Sequence, residues 1–159
     1  MPRLGITALT ACLAGAAIAG GCGSPSDETP SACLRSPDVY QQALRAAPAE
    51  VTLPGGVPIS DCLAENQKAG DLARVGESMV VAATRLNLAG RERPRGPVPL
   101  QLGYLVGAAE RGAESTGGIH ADLIRRLNSA ARSRGSGSLL PFPFVRRYES
   151  GYAAGRSHE

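Results

Sequence analysis

"LQLGYLVGAAERGAE", residues 100–114, is the stretch whose reading decides the fold. Leu102, Leu105, Val106 and Ala109 recur at the helical period and define an inward face. Gly103 and Gly107 stand four residues apart, the G-x-x-x-G spacing that lets two helix backbones approach closely. In a membrane this spacing would mark paired spanning helices. Here Gln101, Glu110 and Arg111 flank an apolar run far shorter than the ~20 residues a span requires. The stretch therefore predicts a helix pressed tightly against another in a water-soluble body.

The segments on either side are also helical. In "CLRSPDVYQQALRAAP" (33–48), Ser36 can cap a helix, Pro37 suits its first turn and Asp38 favours its positive end. Tyr40, Ala43, Leu44 and Ala47 share one face, and Pro48 stops the run. Pro54, Gly55, Gly56 and Pro58 break "VTLPGGVPIS" (51–60) into a loop. Ser60 and Asp61 open a longer helix toward Leu88, with Leu72, Val75, Met79, Ala82 and Leu86 inward. A break at Gly70 with a new cap at Asp71 is the alternative. Residues 89–99 read as an irregular basic connection. "IHADLIRRLNSAARSRG" (119–135) is a further helix with Leu123, Leu127 and Ala130 or Ala131 inward and Gly135 as C-cap. "SGSLLPFPF" (136–144) is an apolar loop over one end of the bundle. "VRRYESGYAAG" (145–155) is a short last helix with Tyr148 and Tyr152 on one face. No internal repeat is evident, and no period-two stretch supports a sheet. The expectation is an all-α bundle of four to five helices with one disulfide, over residues 32–154, ending in a disordered tail at 155–159.

The chain has 159 residues and a formal net charge of +3, too weak a bias to imply nucleic acid. It has no Trp, two Phe and four Tyr, so no stacking surface for bases is expected. The charge is unevenly spread. Residues 22–84 carry four basic and eight acidic side chains, and residues 85–147 carry eleven basic and four acidic ones. The arginines cluster at Arg91, Arg93 and Arg95, at Arg125 and Arg126, at Arg132 and Arg134, and at Arg146 and Arg147. Such a half-molecule can face an anionic lipid surface or an acidic envelope polymer, or simply water.

Residues 1–21 place Arg3 ahead of an apolar stretch from Leu4 to Ala19, the layout of a signal peptide. "AIA" at 17–19 suits ordinary signal peptidase and hence plain secretion. "AGGC" at 19–22 resembles the lipobox of bacterial lipoprotein precursors, with Ala19 where that pattern usually has Leu, Val or Ile. The resemblance implies a diacylglyceryl group on Cys22, cleavage before it, and an anchor on the extracytoplasmic face of the cell membrane. Residues 22–31 are small, polar and proline-containing, as a flexible tether would be. If lipid takes Cys22, the remaining pair is Cys33 and Cys62. A disulfide between them closes a ring worth roughly 3.5 kcal/mol by chain entropy. Cys-x28-Cys with no nearby His gives poor support for a metal site, and none is expected.

Motifs for catalysis are sparse. No phosphate loop, dinucleotide fingerprint or zinc-protease motif occurs, so no cofactor is expected. His120 follows Ser115 and a glycine pair at a helix start and reads as a capping or surface residue, its pKa lowered by the helix end. His158 falls in the frayed tail. Thr116, Gly117 and Gly118 could hold an anion, which is weak by itself. The leading expectation is a non-catalytic binding or interaction module. An envelope enzyme assembled from Glu114, His120 and Tyr104, and a plain secreted structural protein, are the alternatives.

Overall fold

The computed structural model describes residues 28–132 and 140–158. Five α-helices form the body: α1 (Pro37–Ala43), α2 (Ala69–Glu92), α3 (Val98–Ala113), α4 (Ala121–Arg132) and α5 (Phe142–His158). An all-α bundle with one disulfide is what the sequence predicts. The expected signal segment, Cys22, most of the expected tether, Arg134 and Gly135 lie outside the described residues.

α3 is the central helix. Every residue from Pro99 to Ala109 is buried, not just the four on the expected face. The reason is a second G-x-x-x-G, Gly151 to Gly155 in α5. A methyl group on Gly103 would meet the Tyr148 carbonyl oxygen at 2.0 Å, and one on Gly107 the Tyr152 oxygen at 2.3 Å. Reciprocally, a methyl on Gly151 would sit 1.9 Å from the Leu100 oxygen, and one on Gly155 2.3 Å from the Tyr104 oxygen. Contacts advance together along both helices, so α3 and α5 run parallel, backbone against backbone. α2 and α4 cover the rest of α3.

Two boundaries correct the sequence reading of α5. The helix starts at Phe142 rather than Val145, with Pro143 in its first turn and Phe144 fully buried. It also runs through the expected tail to His158. Gly155 is buried against α3, and Arg156 pairs with Glu114, so contact with α3 holds the end helical.

α2 differs as well. Ser60–Cys62 forms a single tight turn, and the helix begins only at Ala69. Cys62 is bonded to Cys33, and Leu63 takes φ −116° and ψ 80°, which interrupts helical growth. Gly70 thus lies in the first turn of α2, and Asp71 supplies the acid there. Val75, Met79, Ala82 and Leu86 are buried as their spacing predicts. At its far end α2 continues through the expected connection to Glu92, because Gly90 fits beneath Phe144 and Pro99. Arg93, ahead of Pro94, then leaves the helical region at φ −131° and ψ 69°.

At the amino end the ordered body starts earlier than residue 32. Thr29 is buried, and Ser31–Leu34 forms a turn rather than tether. Ser36 makes no side-chain cap; its carbonyl accepts the Val39 N–H at 3.0 Å. The Tyr40 hydroxyl, buried beneath the disulfide, donates to the Cys33 carbonyl at 2.7 Å. The 51–60 loop contains a two-residue antiparallel pairing, Thr52 with Pro58 and Leu53 with Val57. Gly55 and Gly56, at φ +87° and +76°, make its turn. Val51, Leu53 and Ile59 are buried and pin this hairpin to the core.

Two substitutions separate the roles of the glycines. Gly151→Ala should lower unfolding free energy by about 1–3 kcal/mol or more, since backbone must move. Gly70→Ala meets nothing within 4 Å and should raise it by about 0.4–1 kcal/mol. Denaturant titration followed by circular dichroism measures both.

Candidate functional site

The nine arginines do not act as one group. Arg95, from the α2–α3 connection, meets Arg146 and Arg147 of α5 around a shallow concavity of about 460 Å³ that Phe142, Pro143 and Ser150 complete. All three arginines are exposed and make no ion pair among the described residues. Phe142 is 72 % exposed, and the Arg146 guanidinium lies 5.9 Å from its ring centroid. An aromatic side chain thus stands in water, ringed by cations. Arg93 and Arg126 are exposed elsewhere. Arg91 donates to Asn87 at 3.2 Å. Arg125 pairs with Asp122, and Arg132 donates to Asn128 Oδ1 at 3.0 Å.

A second concavity, of about 490 Å³, opens between α3, α4 and α5. Ala131, Leu140, Phe144 and Val145 supply its apolar wall, and Glu110, Arg132, Tyr148, Glu149 and Tyr152 its polar groups. The rings of Tyr148 and Tyr152 stack with centroids 6.4 Å apart, as their i, i+4 spacing predicts. Both oxygens of Glu110 are engaged. Its Oε1 accepts Asn128 Nδ2 at 2.7 Å, its Oε2 accepts the Tyr152 hydroxyl, and Arg156 lies 4.0 Å away. The Tyr148 hydroxyl is buried without a hydrogen-bond acceptor among the described residues. Burial pushes its pKa up to about 12, partly offset by the Arg132 cation, so it remains a proton donor. Sequence reading found the two tyrosines but not Glu110 or Asn128, whose meeting depends on α3 lying beside α4.

The alternative catalytic set is not assembled. The Tyr104 hydroxyl is buried and accepts the Val51 N–H at 3.1 Å. Glu114 is exposed between Arg156 and Arg111, whose hydrogen bonds hold its carboxyl below the usual range. His120 is not a surface cap; it is fully buried. Its Nε2 lies 2.8 Å from Gln67 Oε1, while Gln67 Nε2 donates to Thr29 and to the Cys62 carbonyl, each at 2.9 Å. With Gln67 presenting oxygen, this network assigns the imidazole proton to Nε2 and leaves Nδ1 bare. Gly117 and Gly118, at φ +60° and +89°, serve the turn into α4. No helix among the described residues is long and apolar enough to cross a membrane, and no group of three metal-ligating side chains occurs there.

No family model, curated protein or solved structure matches this chain.

The buried histidine gives the fold a pH dependence. Burial lowers its pKa from 6.5, because a charged ring would lose water and gain an unpaired N–H at Nδ1. The unfolded chain binds a proton that the folded chain resists. Stability from this group is therefore complete above about pH 6.5 and is lost as pH falls below it. His120→Gln should show a smaller drop in Tm than wild type between about pH 7 and pH 5, read by thermal melts.

Proposed function

We propose that this protein is exported, anchored through a lipid on Cys22 to the extracytoplasmic face of the cell membrane, and works there as a non-catalytic binding module. The supporting observation is the exposed Phe142 sharing a concavity with Arg95, Arg146 and Arg147, none of which makes an ion pair among the described residues. Arginines near an anionic bilayer contribute about 1 kcal/mol each, and an aromatic ring among them can enter the headgroup boundary. Lipid is a better partner for this patch than a polymer, because a soluble polyanion gives the bare ring no apolar medium.

Chain length fits this arrangement. Five residues lie between Cys22 and Glu28, six steps along the chain with a reach of at most about 20 Å. Glu28 lines a concavity with Glu114, beside Arg156 at the far end of α5. From Phe142 to Arg156 the helix rises about 20 Å. A lipid at one end and the arginine patch at the other lay α5 along the membrane surface.

Two measurements test this reading. Intact mass of the membrane-extracted protein should show a chain beginning at Cys22, carrying diacylglyceryl mass and lacking the two hydrogens of one disulfide. A chain beginning after Ala19 without lipid mass establishes secretion instead. Separately, a chain beginning at Gly23 should co-sediment with vesicles containing phosphatidylglycerol and not with phosphatidylcholine alone. Arg146→Gln and Arg147→Gln should each weaken that binding about fivefold, and added salt should weaken it further. Equal recovery on both vesicles removes the lipid patch from the proposal.

A further inference from the structure

The geometry points to the concavity between α3, α4 and α5 as a binding site for a small amphipathic carboxylate, an acid with one ionised head and an aliphatic body. The site is separate from the arginine patch at Phe142. Its volume of about 490 Å³ lies in the usual range for small-molecule sites, and its shape is asymmetric in chemistry. Leu140, Phe144, Val145 and Ala131 offer an apolar wall. The polar side holds donors that the protein itself leaves unspent, and it is this surplus that bears on a ligand.

That surplus decides the sign of the ligand. Glu110 would suggest a cation if it were free, but both its oxygens already accept hydrogen bonds and Arg156 stands beside it. Two donors remain. The Tyr148 hydroxyl, buried near the Arg132 cation, has no hydrogen-bond acceptor among the described residues, and an acceptor brought in by a ligand would relieve that cost. Arg132 donates to Asn128 Oδ1 and retains further N–H groups on its planar fork. One hydroxyl and one guanidinium match the two oxygens of a carboxylate. Glu149, which also lines the cavity, repels an anion, and the Arg132 cation is the group that offsets it.

Calorimetric titration of the purified full-length chain with octanoate, octanol and octylammonium tests the assignment. These probes share a tail and differ only in the head. Octanoate should bind saturably, octanol more weakly and octylammonium not at all. Tyr148→Phe keeps the ring and should weaken octanoate about fivefold, and Arg132→Gln about tenfold. Arg146→Gln should leave octanoate affinity unchanged, which separates this site from the lipid patch. Octanoate should also raise the Tm of the wild-type chain, a readout that does not depend on any variant folding. The proposal is overturned by octylammonium or octanol binding as tightly as octanoate. It is equally overturned by unchanged affinity in both Tyr148→Phe and Arg132→Gln, or by absence of saturable octanoate binding.

Discussion

The parallel contact of α3 on α5 is the constraint on which the rest of this structure depends. Four glycines, two on each helix, leave room for the facing carbonyls of the partner. Nothing larger than hydrogen fits at those positions without backbone movement. The contact explains why α3 is buried all round although its neighbours are alanine-rich and slender. It also explains why α5 remains helical to His158, and why Tyr148 and Tyr152 stand beside Glu110. A core with no Trp and few aromatics removes little area per side chain from water. Close backbone approach compensates by packing more atoms at contact distance.

The amino-terminal third is held by other means. The Cys33–Cys62 bond joins the entry turn to the turn before α2, and the Tyr40 hydroxyl closes over it. Gln67 extends the network from the Cys62 carbonyl to His120 at the start of α4. Gly112 of α3 packs directly on Ser60, since a methyl there would lie 2.4 Å from the Ser60 oxygen. These contacts tie the disulfide region to the helical core. They also place a buried imidazole where a surface histidine is expected. The polar groups here are spent on structure, which is why the apparent catalytic set of Glu114, His120 and Tyr104 dissolves into three unrelated partnerships.

The two surfaces proposed for function share α5 but use different faces of it. Phe142, Arg146 and Arg147 point toward a shallow basic concavity, whereas Phe144, Tyr148 and Tyr152 line the deeper one. Under the proposed function, a bilayer-facing side and a ligand-facing side on one helix would place a small binding site close to the membrane. An amphipathic acid partitioning into that interface would meet the cavity at a raised local concentration. In that arrangement a lipid on Cys22 would keep the body within that layer.

Sequence by itself determined the elements and most of the inward faces. Apolar spacing located α1 through α4, the buried residues of α2 and α4 follow it, and cysteine arithmetic paired Cys33 with Cys62. It located the first glycine pair and the stacked tyrosines. Local pattern could not say where helices pause or persist. A disulfide and a non-helical Leu63 postponed α2 to Ala69, and backbone contact with α3 carried α5 through a segment that looks frayed. Nor could it sort the arginines, because a guanidinium's role depends on which acid or ring lies opposite. Asp122 took Arg125, Asn128 took Arg132, and Phe142 gathered Arg146 with Arg95 and Arg147 nearby. Periodicity is a property of one helix, whereas partnership between side chains arises only when two helices are laid together, and here glycine contacts fixed that placement.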